Sequence, residues 1–413
     1  MKKLYVILIN DNVIRSGLAD LGRLADAELW LVSSPHYARR LTDEQRAAYA
    51  RIVVPDDMET TDLVALLDRE LPRPRPEQLR FLTNDESCEL ICARLAEHLG
   101  TAGWPAARLL PFVDKMASKA ALAGSGLRLP RHLRFDRDRH AADPRGYCER
   151  IAAEIGFPMV VKPVDRYASM DVRRLDGPAA LRAWASWASS PKDRNSYELD
   201  EFVSGTLYNF DALVQDGRVV WSNVCANLNP CMEFAAGRSL GVWTLPADDP
   251  TAVRVSGFGH RALAALRPPD GGVHMEVFGT PDGELVFLEV AARPPGGEMR
   301  AVYLRTHGVD IDLAHYLLRA GEPYDVRARP TGELGAWVIT PRHAGRVSAV
   351  DLPALRSEHT VQVHVSVGET VARASAHIVE PPSAVFMVYG ADRAAFGHDM
   401  DLLRDLTLYR VEP

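Results

Sequence analysis

The stretch from His274 to Gly297 constrains the fold of this chain more than any other part of it. Its sequence is HMEVFGTPDGELVFLEVAARPPGG, in which two apolar runs, His274–Phe278 and Glu284–Ala291, flank Thr280–Gly283. Proline followed by Asp-Gly is typical of a tight turn, and apolar runs on both sides of such a turn favour strands. The stretch therefore predicts a β-hairpin that carries acidic residues inside otherwise apolar strands.

The predicted pairing brings two glutamates of this hairpin close together. Side chains alternate along a strand, so His274 and Glu276 share one face of the first strand, and Phe287 and Glu289 share one face of the second. If Thr280–Gly283 form the loop, Glu276 lies opposite Phe287 and His274 lies opposite Glu289. Opposed residues of an antiparallel pair point the same way, so the two glutamates become diagonal neighbours on one face.

Two carboxylates on one face of apolar strands need a counter-charge, because they would otherwise repel each other. Arg293 follows on the same side of the strand, just before Pro294–Gly297 ends it, so a plain ion pair is one alternative. A metal ion accounts for both carboxylates, and we predict a divalent metal on Glu276 and Glu289 beside an anionic substrate. His274 shares their face and is expected to support the site or pack beside it.

The charge balance makes the few lysines informative. The chain has 413 residues with a net charge of −7 and a pI near 6.0, so it has no bulk basic field for a nucleic acid. Its length allows two to four domains. Lysine is scarce among the 48 basic residues, so an internal lysine is not the default cation. The lysines are Lys2, Lys3, Lys115, Lys119, Lys162 and Lys192.

The cysteines and the apolar runs indicate a protein of the cytoplasm. Five cysteines at irregular spacing argue against a disulfide framework and favour free thiols in a reducing compartment. No apolar run approaches the roughly 20 residues of a membrane span, so no membrane partner is expected. The apolar run after Met-Lys-Lys ends at Asn10-Asp11-Asn12, and we interpret it as a first strand and not as a signal peptide.

The order of elements predicts a multidomain protein of α/β and α+β class. Strands and helices alternate over residues 1–108, which is typical of an α/β layer with a parallel sheet. A helix is predicted over Ser16–Ala27, and residues 224–245 are predicted to be an irregular, substrate-facing loop. Short strands and one final helix follow residue 326.

Four motifs in sequence order resemble those of the ATP-grasp superfamily, and the resemblance covers nearly the whole chain. They are Asp114-Lys115 at the start of a helix, Met159–Pro163, Asp200–Gly205, and Glu276 with Glu289-x-x-x-Arg293. The chain looks most like the L-amino-acid (dipeptide) ligases, which are similar to it in carrying alanine at the position of Ala291, where most of the superfamily has asparagine. The resemblance implies an ATP-grasp fold with four predicted domains. They are an N-terminal Rossmann-like (pre-ATP-grasp) domain over residues 1–108, a small lid subdomain over 109–195, a large subdomain over 196–325 and a small α+β C-terminal domain over 326–413.

The resemblance also implies how ATP would be bound. Lys115 and Lys162 would bind phosphates, while Lys119 is expected to be a solvated side chain. The loop Asp165–Asp171 stands at the place of the family's glycine-rich phosphate loop but has no glycine; Ser169 and nearby amides could serve, or the loop is an ordinary surface turn. Leu207 replaces the family's ribose-binding glutamate. The remaining implied ATP contacts are the hinge backbone at Asp200, Glu201, Phe202 and Val203, with Glu198 or Asp200 at the ribose; Glu198 could equally belong to an amphipathic edge strand.

The chemistry implied by the resemblance is ATP-dependent joining of a carboxylate and an amine. ATP would phosphorylate the carboxylate, and the amine would attack the acyl phosphate to give an amide, ADP and phosphate. Glu276 and Glu289 would hold two Mg²⁺ ions, for which Mn²⁺ could substitute. Arg293 would orient the carboxylate and stabilise the oxyanion, aided by His274 and by the backbone of Gly296 and Gly297, which are alternatively only a turn. Small-molecule substrates and a homodimer are expected. The alternatives are a ligase or carboxylase acting on bicarbonate or on another acceptor, and a nucleotide-binding module without ligase activity.

Overall fold

The N-terminal region contains a parallel sheet, as the alternation of its elements predicts. The structure is a computed structural model that describes residues 2–10, 18–70, 76–167, 169–234, 236–372 and 381–412. The elements of this region are β1 (Lys3–Ile9), α1 (Leu18–Leu24), β2 (Ala27–Ser33), α2 (Pro35–Ala38), α3 (Asp43–Ala47), β3 (Arg51–Val53), α4 (Thr60–Glu70), β4 (Leu79–Leu82) and α5 (Glu89–Leu99). The strands are parallel in the order β3-β2-β1-β4, and β1 is buried because its apolar run is covered on both faces.

The helix boundaries of this region follow from capping. Thr42 and Gln45 form a capping box at the start of α3. Asp85 caps a single 3₁₀ turn, Glu86–Cys88, which leads into α5. The helix predicted over Ser16–Ala27 ends earlier in the structure, where α1 stops at Leu24 and Ala27 begins β2; Ser16 and Gly17 lie outside the described residues.

A second four-stranded sheet follows in the chain and is called the small sheet. Its region contains α6 (Ala106–Leu109), α7 (Lys115–Leu122), β5 (His132–Arg134), α8 (Arg137–Ala142), α9 (Pro144–Ile155), β6 (Met159–Pro163), β7 (Arg173–Leu175), α10 (Pro178–Ala188) and β8 (Tyr197–Glu201). The strands are antiparallel in the order β5-β8-β6-β7. Apolar side chains of α9 and α10 pack with those of β6 and β8 into one core, which explains the helical spacing of the apolar residues in both helices.

The largest sheet has eight strands and is called the large sheet. Its elements, with the remaining ones of the chain, are β9 (Thr206–Gln215), β10 (Arg218–Asn227), β11 (Leu240–Thr244), α11 (Pro250–Leu266), β12 (Gly271–Gly279), β13 (Leu285–Ala291), α12 (Met299–His307), α13 (Ile311–Ala320), β14 (Leu334–Thr340), β15 (Gly345–Val350), β16 (Glu358–Val363), β17 (Thr370–Val371), β18 (Ala384–Gly390), α14 (Arg393–Arg404) and β19 (Tyr409–Val411). The strand order is β13-β12-β9-β10-β11-β14-β18-β16, and a three-stranded sheet β17-β15-β19 follows. The core of one face includes residues of α7 and α11, and that of the other includes residues of α12 and α13.

One sequence prediction is partly wrong. Residues 224–245 were expected to be irregular, but the segment begins inside β10, which ends at Asn227, and Leu240–Thr244 form β11, because each strand finds an antiparallel partner that the sequence does not reveal. The predicted boundary between residues 195 and 196 falls just before β8, which completes the small sheet. Strands from the predicted last domain continue the large sheet through β14, β18 and β16. The division into four domains stays a prediction.

Among the helices of the described residues, none combines the length and apolar character needed to cross a membrane.

Candidate functional site

The hairpin of β12 and β13 places its two glutamates directly opposite each other. Glu276 pairs with Glu289, while Val277 pairs with Phe287, so Leu288 is an extra residue in β13. The expected pairing of Glu276 with Phe287, and of His274 with Glu289, is therefore wrong by two residues. Gly279 pairs with Leu285 and not with Glu284, which shifts the register by one residue, and the β-bulge at Leu288 shifts it by one more. Opposed residues lie closer together than diagonal ones, so the two carboxylates are nearer than expected, and the metal assignment stays a prediction.

Both glutamates line a cavity between the small and large sheets, together with Lys115 and Lys162. Burial alone would raise the pKa of Glu289, but the charges of Lys115 and Lys162 outweigh it, so its pKa lies below the usual range and the carboxylate is ionised. Among the described residues, no group of three or more His, Cys, Asp or Glu side chains could hold a metal ion. Two carboxylates fit Mg²⁺ only if a bound ligand, such as a phosphate chain, supplies further oxygen atoms.

Lys115 reaches this cavity from the first turn of α7. The carboxylate of Asp114 caps the helix by accepting from the backbone N–H groups of Met116 and Ala117. The Lys115 ammonium lies 3.4 Å from a carboxylate oxygen of Glu289 and donates to the backbone carbonyl of Arg166. The anion that compensates a lysine at this helix terminus is therefore Glu289, and the ammonium also faces the space where a phosphate would bind.

Lys162 and Lys119 form a buried cluster with two carboxylates of β8. The Lys119 ammonium lies 2.8 Å from Glu198 and 2.7 Å from each carboxylate oxygen of Asp200. The Lys162 ammonium lies 3.2 Å from one oxygen of Glu198 and 3.2 Å from one of Asp200. Lys119 is 0 % exposed, so its expected solvation is wrong; the helical spacing after Lys115 does not reveal that α7 turns this side chain towards β8.

This cluster changes the interpretation of the two acidic residues predicted to reach a ribose. Glu198 is fully buried and is not among the residues that line the cavity, so the structure does not bring it into the site. Asp200 lines the cavity, but both of its oxygens are bound by lysines. A buried carboxylate requires such partners, and these partners come from α7 and β6.

The predicted hinge forms the apolar end of the cavity, where Phe202, Val203 and Leu207 all line it. The carboxylate of Glu201 is bound by Arg131 at 2.6 Å and by Arg128. Burial would raise the pKa of Glu201, but the hydrogen bonds from Arg131 and Arg128 lower it.

The backbone of this hinge is partly occupied. The N–H groups of Glu201 and Phe202 donate to the carbonyls of Arg131 and Pro158. The ring of Phe202 lies 4.4 Å below the guanidinium of Arg174. The N–H groups of Glu201 and Phe202 are therefore not available to a ligand.

The loop over residues 165–171 adopts a backbone that usually favours glycine, although it has none. Ser169 and Asp171 have φ angles of +54° and +58°, in the left-handed region. Ser169, Arg166 and Tyr167 line the cavity, which favours the phosphate-loop alternative over a surface turn, and the role of the loop stays a prediction; Ala168 lies outside the described residues.

His274 lies beside the glutamate pair and is held in place by Asp211 of β9. It pairs with Asp211 across β9, its Nδ1 lies 2.6 Å from a carboxylate oxygen of Asp211, and its Nε2 lies 3.6 Å from Glu276. The hydroxyl of Tyr303 donates to the other oxygen of Asp211. Burial would lower the pKa of His274, but Asp211 outweighs it and raises the pKa to about 9. The structure thus supports the expected supporting position of His274.

Arg293 is bound by a residue that the sequence interpretation missed. Its Nε and Nη2 donate to one carboxylate oxygen of Glu86 at 3.1 and 2.9 Å, and its Nη1 donates to the carbonyl of Pro294. Burial would lower the pKa of Arg293, but Glu86 and the hairpin glutamates raise it, so the guanidinium is charged. Local sequence patterns did not place Glu86 in the site; a carboxylate directly after Asp85, which already caps that turn, was the available signal.

The two glycines after Arg293 serve the turn. Gly297 has a φ of +65°, and a Cβ atom there would lie 2.4 Å from the ring of Trp337. Neither Gly296 nor Gly297 lines the cavity. This arrangement favours the turn alternative for the pair, because close packing on Trp337 is sufficient to require glycine at residue 297.

Comparison with known proteins defines the class of fold. No family model matches the chain. An L-amino acid ligase from Bacillus licheniformis superposes with a TM-score of 0.73 at 16% identity, over 100% of both chains. The ADP complex of an N5-carboxyaminoimidazole ribonucleotide synthetase superposes with a TM-score of 0.65 at 12% identity, over 97% of both chains. The protein has the ATP-grasp fold.

Sequence similarity narrows the resemblance within this fold. The L-arginine-specific L-amino acid ligase of Bacillus subtilis is 24% identical over 259 residues, which span 60% of this chain and 58% of that relative. The chain therefore resembles L-amino acid ligases, and the match spans less than two thirds of that protein.

Proposed function

We propose that this protein is an ATP-dependent carboxylate–amine ligase acting on an amino acid or a similar substrate. It forms an amide through an acyl phosphate and releases ADP and phosphate. The observation that carries the proposal is the convergence of Lys115, Lys162, Glu276 and Glu289 on one cavity. Arg293 does not itself line this cavity, but both glutamates raise its pKa through their charges. The resemblance to L-amino acid ligases supports the choice of substrate class.

The cavity offers different chemistry at its two ends, and this supports nucleotide binding. Phe202, Val203 and Leu207 form an apolar end suited to a purine ring. Lys115 and Lys162 provide two ammonium groups for phosphate oxygens at the other end. We assign the base to the first end and the phosphate chain to the second.

Glu276 and Glu289 are the residues that would hold Mg²⁺, with two ions in the proposal and Mn²⁺ as a substitute. Such ions would neutralise the phosphate oxygens and polarise the phosphorus for attack by the substrate carboxylate. His274, bound to Asp211, would keep Glu276 oriented from the side.

Arg293 and Glu86 together offer one cation and one anion to the substrate. An amino acid carries both an ammonium and a carboxylate group, so the pair can bind either or both of them by charge-assisted hydrogen bonds. Binding would replace contacts that the two side chains now make with each other. Arg293 would then stabilise the negative charge that develops on the attacked carbonyl oxygen.

The test is product formation from pooled amino acids. Purified protein is incubated with ATP, Mg²⁺ and mixtures of the twenty amino acids, while phosphate release is measured and amides are identified by mass spectrometry. Glu289→Gln should lower kcat by about 100-fold or more. Glu284→Gln is the matched control, because Glu284 belongs to the same hairpin but is exposed.

The outcomes separate this proposal from its alternatives. Phosphate release that depends on bicarbonate or on a non-amino-acid acceptor would favour another ligase class. ATP binding without ADP formation, for any carboxylate tested, would favour a nucleotide-binding module. Full activity of Glu289→Gln would overturn the metal assignment.

We also propose that the protein acts as a homodimer in the cytoplasm. All five cysteines are free thiols, which suits a reducing compartment. Light scattering coupled to size-exclusion chromatography should give twice the chain mass of 45.6 kDa, and a single chain mass would refute the dimer.

A further inference from the structure

Four buried charged groups lie next to the phosphate end of the cavity. They are two lysines and two carboxylates, and one lysine binds the carboxylates at shorter distances than the other. Lys119 makes three contacts of 2.7 to 2.8 Å with the carboxylates of Glu198 and Asp200, so its three N–H groups are used. Lys162 makes two longer contacts of 3.2 Å with the same carboxylates. Lys162 therefore has an N–H group to spare and lines the cavity, whereas Lys119 does not.

The charge count of this cluster determines what Lys162 can do. Two carboxylates and two ammonium groups sum to zero, so an anion that approaches Lys162 meets no excess negative charge. Without Lys119, the single ammonium of Lys162 would face two buried carboxylates. A buried carboxylate without a cation destabilises the fold, so the Lys162 ammonium would move closer to the carboxylates of Glu198 and Asp200. The cluster would then carry a net negative charge and repel a phosphate group.

We propose that Lys119 is a positioning residue of the nucleotide site, which binds Glu198 and Asp200 so that the Lys162 ammonium stays available to a phosphate group. This inference rests on the proposed nucleotide binding but assigns a role to a residue that never touches the ligand. Lys119 acts through the two carboxylates. Its effect falls on the charged part of the ligand and not on the base.

The test compares ADP with adenosine, which has the same base and sugar but no phosphate. Both are titrated calorimetrically, without metal, into the wild-type protein and into Lys119→Met. At an effective dielectric constant near 20, one uncompensated buried charge about 8 Å from a phosphate weakens ADP binding about tenfold or more. Adenosine binding should change less than about threefold, since no charge is involved. Lys192→Met, which removes an exposed lysine, is the matched control.

Two further variants distinguish charge from structure. Lys119→Met combined with Glu198→Gln restores neutrality and should return ADP affinity to within about threefold of wild type. Glu198→Gln alone leaves two ammonium groups on one carboxylate and should tighten ADP binding, which keeps the proposal testable if Lys119→Met fails to fold. A parallel loss of ADP and adenosine affinity, or an unchanged or weaker ADP affinity in Glu198→Gln, would overturn the role of Lys119. Absence of ADP binding by the wild type would instead refute the proposed function, and this inference with it.

Discussion

His315 on α13 should make the protein sensitive to acid in a way that can be calculated. Its Nδ1 accepts from the backbone N–H of Gly272 at 3.0 Å, so its Nε2 carries the proton and donates to the carbonyl of Thr83 at 2.8 Å. The ring is 0 % exposed, and burial, helped by Arg319, lowers its pKa to about 3. The neutral ring joins the start of β12, which carries Glu276, to the segment that leads to Glu86.

The sign and the size of the effect follow from proton linkage. The unfolded chain has a histidine pKa of about 6.5, well above the folded value, so the unfolded state binds the proton first as pH falls. The stabilising contribution is complete above the unfolded pKa and decreases as pH falls towards 3. Between pH 7 and pH 5, His315 alone should lower the free energy of unfolding by about 2 kcal/mol.

The assay is urea unfolding of wild type and His315→Gln at pH 7, 6 and 5, followed by circular dichroism. Glutamine does not titrate, so the variant should start less stable at pH 7 but lose about 2 kcal/mol less than wild type on acidification. His359→Gln, at an exposed histidine, is the control and should follow wild type. Equal losses in wild type and His315→Gln, or a ring NMR titration of His315 above pH 5, would refute the reasoning.

Three further predictions concern the site. Glu86→Gln removes the charged partner of Arg293 and should raise the KM of the amino-acid substrate at least about tenfold in steady-state assays, while the KM of ATP stays within threefold; equal effects on both would contradict the assignment. Ser169→Gly relieves a left-handed backbone and should preserve the KM of ATP, whereas Ser169→Val should raise this KM, because a β-branched residue disfavours that conformation. An unchanged KM of ATP in Ser169→Val would argue that the 165–171 loop does not bind ATP. Burial raises the pKa of the Cys231 thiol, so iodoacetamide should label it slowly and ADP should slow it further, as followed by mass spectrometry; unchanged labelling with ADP would place the nucleotide elsewhere.

Local patterns were sufficient for the elements of the hairpin but not for its register. Proline and Asp-Gly between apolar runs predict β12 and β13, and both strands are present. The bulge at Leu288 depends on how β13 packs at the edge of an eight-stranded sheet, and no residue in the sequence predicts it. One residue of shift at the turn and one at the bulge together changed which side chains oppose each other.

The same limit applies to the charged residues of α7. Lys115 and Lys119 lie one helical turn apart and look alike in the sequence. One lies beside Glu289, and the other is fully buried against β8, because α7 packs between the two sheets that supply these acids. Helical spacing gives the face on which a side chain lies but not what covers that face.

The sequence by itself determined the class of fold, the hairpin, the two glutamates and the two lysines that line the cavity, because turn chemistry and apolar periodicity act over a few neighbouring residues. Tertiary structure alone decided that Glu276 opposes Glu289, that Glu86 binds Arg293, and that Lys119 binds Glu198 and Asp200. These contacts join residues 13 to more than 200 positions apart. Long-range pairing of charges depends on how whole sheets pack, since a buried charge must find its partner wherever the fold supplies one.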